Sequence, residues 1–258
     1  MACSLTCRAW LPACLYHLFS ELVLTPHDIL AFLEYADLSS SNIPTVVRRL
    51  VVRRSVYSIM IRTFAIEHVT PVTLMTRPAN SYFRGLQSLT LSEIFWGVLP
   101  SDIRHLLSDL VTVKDLKLHR VNFETMHQVV EFICAFPALE SLSFKDWTMH
   151  VPAVDLARFL DTAPKLSLRY PLHIHLDCIN LDRPKSILYV IEWLVVQDPS
   201  PSIQLDTLRL GPFRDLLLLE SPCIHKLMRF LDFSLVQLHI RTPQLPYSAR
   251  DMDGRGFL

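Results

Sequence analysis

Leu86-Gln87-Ser88-Leu89-Thr90-Leu91, Val113-Lys114-Asp115-Leu116-Lys117-Leu118 and Leu139-Glu140-Ser141-Leu142-Ser143-Phe144 are three versions of one six-residue phrase. Apolar residues hold its first, fourth and sixth positions, so it closes in the period-two alternation of a strand with one buried face. Leu205, Leu208 and Leu210 repeat the spacing, as do Leu235, Leu238 and Ile240. Val47, Leu50 and Val52 supply an early copy, and Leu172, Ile174 and Leu176 a looser one. From fourth position to fourth position, Leu89 to Leu116 is 27 residues and Leu116 to Leu142 is 26. The later steps, to Ile174, Leu208 and Leu238, are 32, 34 and 30.

Between the phrases lie amphipathic segments that predict helices: Ser101 to Val111, Glu124 to Phe136, Val154 to Thr162, Lys185 to Gln197 and Pro222 to Leu231. In the second of these, Met126, Val129, Val130, Ile133 and Phe136 recur at three- and four-residue steps, the stripe of a helix packed on one side. Pro137, Pro164 and Pro199 fall after a helix and before the next strand, where a residue unable to continue a helix does no harm. One strand and one helix per unit, with the strands parallel, predict an arc, because helices are wider than strands. Each unit would bury its apolar stripe against its neighbours, so several are needed in series.

Composition bounds the function. The chain has 258 residues, half of them apolar, with 25 basic and 25 acidic side chains. A chain so apolar folds, and its balanced charge provides no field to gather nucleic acid or an anionic membrane. Neither partner is expected. The six cysteines, Cys3, Cys7, Cys14, Cys134, Cys178 and Cys223, form no CxxC pair, which suits a reducing, intracellular compartment, cytoplasmic or nuclear. Arg8, Pro12 and His17 interrupt the apolar N-terminus against a signal peptide, and no apolar run reaches the ~18 residues of a membrane span.

The spacing and the period resemble the leucine-rich repeat consensus L-x-x-L-x-L-x-x-N/C-x-L over roughly residues 47–240. The Asn/Cys position departs, holding Ile94, Val121, Trp147 and Phe213, so irregular turns are expected. The opening Ala2-Cys-Ser-Leu-Thr-Cys-Arg-Ala-Trp-Leu, continuing through Tyr16-His-Leu-Phe to Leu22-Val-Leu, is similar to the second half of an F-box in a group of fungal F-box proteins. In that group a basic phrase like Val46-Val-Arg-Arg-Leu-Val-Val-Arg-Arg and then loose leucine-rich repeats follow. The resemblance implies a substrate-recognition subunit of a cullin-RING ubiquitin ligase, whose F-box docks on the adaptor Skp1 and whose repeats hold the target. Leu5, Cys7, Trp10 and Leu11 would then belong to the late F-box helix, as its core or against the adaptor. The family's leading L-P-x-E-L segment would precede Ala2, and the alternative is a truncated fragment or decoy that keeps the scaffold and lacks adaptor binding. The expected architecture is α/β: an irregular leucine-rich-repeat solenoid (26–242), helices on the convex side, preceded by a short helical F-box remnant (1–25) and followed by a loose tail (243–258).

On each strand the parity opposite the leucines faces away from the core, onto the concave sheet. There lie Ser88, Thr90 and Ser92; Asp115, Lys117 and His119; Ser141, Ser143 and Lys145; His173, His175 and Asp177; Thr207 and Arg209; and Gln237, His239 and Arg241. Hydroxyls, charges and imidazoles so arranged can read a protein surface, or can simply be a solvated face. His173, His175 and Asp177 share one side of a strand at a spacing able to supply part of a metal shell, yet any exposed strand alternates so, and no metal or other cofactor is expected. Cys3, Cys7, Cys14 and His17 are better explained as small core positions than as a zinc cluster. Arg48, Arg49, Arg53 and Arg54 form the one dense basic patch, read as the solvated flank of a strand whose Val47, Leu50 and Val52 point inward. Trp96, Trp147 and Trp193 are read as packing between repeats before interface anchors. None of the five glycines sits in a GxGxxG, P-loop or GxSxG frame, and no catalytic residue is expected.

Overall fold

The computed structural model describes residues 10–38, 43–54, 82–146, 156–179, 189–190, 192–194, 203–210 and 237–240. The alternating phrases become strands and the stripes become helices. In chain order these are α1 (Leu11–Phe19), β1 (Glu21–Leu24), α2 (Pro26–Leu38), α3 (Ile43–Val46), β2 (Arg49–Arg53) and β3 (Ser88–Ser92). A 3-10 turn (Trp96–Val98) leads to α4 (Ser101–Ser108), followed by β4 (Asp115–His119), α5 (Met126–Cys134), β5 (Ser141–Lys145) and α6 (Leu156–Thr162). The strands β6 (Leu172–Ile179), β7 (Ile203–Leu210) and β8 (Gln237–Ile240) complete the sheet. All eight strands form one sheet in chain order, each hydrogen-bonded to the next in parallel.

Register follows the leucines. Leu50, Leu89, Leu116, Leu142 and Ile174 are successive partners in one row, and Val52, Leu91, Leu118, Phe144 and Leu176 in the next. Both rows are buried and join one cluster with Ile103, Leu106 and Leu107 of α4, Val129, Val130 and Ile133 of α5, and Phe159 of α6. The helices therefore cover one face of the sheet, because that face is almost wholly apolar and the other mostly polar. Trp96 ties two units together: its ring lies 4.5 Å from that of Phe132 and 5.3 Å from that of Phe123. Trp193 is buried as well, with Nε1 donating to the Pro164 carbonyl at 2.9 Å. Both are core residues. Trp147 lies outside the described residues, as does the helix expected over 222–231.

Caps set the helix starts. Thr125 accepts from the Gln128 N–H, and Gln128 Oε1 accepts from the Glu124 N–H, a reciprocal pairing that delays α5 to Met126. Thr25 and Asp28 pair in the same way ahead of Pro26, and the Thr25 hydroxyl holds the Asp28 carboxyl below its ordinary range.

Four features depart from the sequence expectation. A strand, β1, begins the sheet inside the stretch expected to be F-box remnant and linker; Leu22 and Leu24 are too few to show an alternation. A helix over Pro26–Leu38 had no counterpart in the sequence reading. The turns after β3 and β4 are alike and not irregular, and the first turn residue after β5 adopts the same conformation. Glu93, Arg120 and Asp146 adopt φ of 58°, 52° and 48°, and their N–H groups donate to the carbonyls of His119, Lys145 and Asp177. The next residue, Ile94 or Val121, is buried in the core. Finally, Leu208 pairs with Leu176 and not with Ile174, because Leu205 takes Ile174 and Asp206 is extruded as a bulge.

Among the described residues, no helix is long and apolar enough to cross a membrane.

Candidate binding face

The sheet face opposite the helices carries the outward parity in three rows. One runs Arg49, Ser88, Asp115, Ser141 and His173; the second Val51, Thr90, Lys117, Ser143 and His175; the third Arg53, Ser92, His119, Lys145 and Asp177. The sequence-predicted residues Ser88, Thr90, Asp115, Lys117, His119, Ser143, Lys145, His173, His175 and Asp177 are thus brought onto one surface. Arg209 and His239 are partners across β7 and β8, and their side chains lie outside the described ones. So do Leu5, Cys7 and Arg241 entirely, and the Leu11 side chain. Trp10, ahead of α1, is 62% exposed.

Many of these side chains are already committed to one another. Asp115 Oδ2 accepts from the Ser88 hydroxyl at 3.0 Å and meets Lys117 Nζ at 2.8 Å. Asp146 Oδ2 lies 3.2 Å from His119 Nε2 and 3.3 Å from Arg120 Nε, while Arg120 also reaches Glu93 at 3.2 Å. The three left-handed turn residues are therefore linked as acid, base, acid across β3, β4 and β5. Each pair is partly exposed, so each contributes at most about 1 kcal/mol.

Ser92 Oγ lies 3.3 Å from His119 Nδ1, so Ser92, His119 and Asp146 form a serine–histidine–aspartate chain. Its chemistry is limited, because an acyl-transfer site needs free amides at the oxyanion. Here the N–H of Glu93 is bound to the His119 carbonyl and that of Arg54 to the Ser92 carbonyl.

Asp206, invisible to an alternation count, stands between the two imidazoles of β6. It lies 3.0 Å from His173 Nδ1 and 3.7 Å from His175 Nε2. The histidine pair noted for a possible metal therefore faces a carboxylate on the next strand in addition to Asp177. Among the described residues, no group of three or more His, Cys, Asp or Glu is placed to hold a metal ion.

The basic patch disperses. Arg48 donates to the Thr45 carbonyl at 3.1 Å, Arg49 pairs with Glu21 at 3.1 Å, and Arg54 lies over the Phe95 ring at 5.3 Å. Arg53 is exposed and outside those contacts, as is Lys145 on the same row. Cys134 is half-buried behind the sheet, and burial pushes its thiol up to about 12, so it is a poor nucleophile.

No family model, curated protein or solved structure matches the chain. The fold and the face together define a class: an α/β protein with a single all-parallel sheet in chain order, one face apolar under helices and the other polar and open.

Proposed function

We propose that the chain is a protein-binding scaffold, an irregular leucine-rich-repeat solenoid that presents its sheet on the concave side. In this reading it is the target-recognition subunit of a Skp1–cullin–F-box ubiquitin ligase inside the cell and is not itself an enzyme. The observation that carries the scaffold reading is the in-register polar face of β3 to β6, built on the same strands whose other face is core. Solenoids bind through such faces.

The adaptor half is supported by apolar side chains left exposed near the N-terminus: Trp10 at 62%, Leu18 at 56% and Tyr35 at 60%. Large aromatics of this kind anchor interfaces. Co-purification of the 258-residue chain with Skp1, beside a Trp10→Ala/Leu18→Ala variant, tests this half. Capture of Skp1 that falls at least tenfold in the variant is the expected result. No capture by either chain removes the ligase role and leaves the second reading, a scaffold or decoy without adaptor binding.

A further inference from the structure

The open face is small. The three rows span four inter-strand steps of about 4.8 Å and lie within about 13 Å, giving roughly 250 Å², about a third of one side of a standard protein–protein interface. That area suits one extended segment of a partner better than a folded domain.

The third row selects the segment's chemistry. Arg53, Ser92, His119 and Lys145 are successive register partners on β2, β3, β4 and β5. The carboxylates beside them are engaged: Glu93 with Arg120, and Asp146 with His119 and Arg120. Asp177, the register neighbour of Lys145, has contacts of its own. Arg53 and Lys145 are exposed with no ion pair among the described residues, so two such cations bound the stretch of the row from β2 to β5. One row inward, Thr90 and Ser143 are hydroxyl donors with no hydrogen bond of their own among the described residues.

We infer that this strip binds an extended acidic peptide segment lying across the strands, with carboxylates four residues apart seated on Arg53 and Lys145. The spacing follows from the geometry. Three steps between β2 and β5 are about 14 Å, and four residues of extended chain cover about 13 Å with both side chains on one side. Thr90 and Ser143 would donate to the carbonyls between them. The inference rests on the proposed role of the polar face as the target surface, and it adds the class of target.

The test is fluorescence anisotropy of the full chain at low salt, where exposed ion pairs are least screened. The probe is a labelled peptide containing Glu-Ser-Thr-Ser-Glu, compared with an isomer in which the two glutamates are adjacent. The expected result is saturable binding of the first peptide, at least threefold weaker for the isomer. R53E and K145E should each weaken it about fivefold, the order of one exposed ion pair lost, while K165E, at an exposed lysine away from the strip, leaves it unchanged. No saturation up to about 1 mM, equal binding of both peptides, or indifference to R53E and K145E would overturn the inference. Preferential binding of anionic vesicles through the same two residues would overturn it equally. A chain that holds Skp1 and ignores the peptide loses only this inference; one that binds the peptide and not Skp1 loses only the ligase role.

Discussion

The units from β3 to β5 and those from β6 to β7 are built from the same six-residue phrase, yet they differ in regularity. Steps of 27 and 26 residues keep β3, β4 and β5 in register at five successive pairs per strand. The step to β7 is 34 residues, and there the register slips twice. A repeat of near-constant length places each turn over the last one, so Glu93, Arg120 and Asp146 can all hold left-handed φ angles and pair with one another. A changed length does not by itself break the register, since the 32-residue step to β6 keeps five successive pairs, whereas β7, at 34, carries a bulge. The extruded Asp206 then spends its carboxylate on the neighbouring histidines and not on a turn ladder.

The largest expected effect tests whether regularity is also rigidity. Leu116 and Ile174 are both buried and occupy the same core row. Leu116→Ala should lie near the top of the ~2–5 kcal/mol range for such truncations, because its neighbours on both strands are locked in register and cannot collapse into the cavity. Ile174→Ala, beside the bulge, should lie near the bottom. Urea unfolding of both variants checks this, and equal losses would break the distinction between the two regions.

How much of this could be read in the sequence depends on how locally each feature is encoded. The alternation in Leu86 to Leu91 names the strand and its buried face without help from the rest of the chain, and so placed β2 to β8. Twelve of the outward residues, all on β3 to β6, followed from parity alone. The stripe Met126, Val129, Val130 and Ile133 named α5, whose ends each lie two residues inside the expected Glu124 to Phe136, the start because of the Thr125–Gln128 cap. The short β1 is encoded differently: Leu22 and Leu24 are strand residues because Leu50 and Val52 pair with them, a non-local cause. Asp206 was missed for the opposite reason, since the phrase Leu205, Leu208, Leu210 looks regular and only pairing with β6 exposes the extra residue. Which face residues are committed to one another was likewise unreadable, because Ser92, His119 and Asp146 meet only once the register is known.

Intermediate in size is the contribution of the cap in the regular region. Thr125→Ala removes the acceptor for the Gln128 N–H at the start of α5, which should cost about 1 kcal/mol. Thr125→Ser should restore most of it. A thermal melt of the two variants decides the point, and an unchanged melting temperature for the alanine variant would mean that packing of Met126 and Val129 alone fixes the helix start.

The smallest effect is at the bulge, and there its smallness is the prediction. Asp206→Asn keeps the size of the side chain and removes the charge facing His173 and His175, whose pairs with it are only partly buried. The loss should stay below about 1 kcal/mol at neutral pH. Deleting Asp206 instead removes the extra residue, brings Leu205 and the next leucine into two-residue alternation, and should leave β7 paired with β6 without the first register shift. Amide hydrogen exchange along β6 would read the result directly. If the bulge only absorbs a length mismatch, protection of the β6 amides rises or holds in the deletion variant. If protection collapses, the bulge is required for β7 to pair at all, and the irregular region is a specified structure and not an accommodated error of spacing.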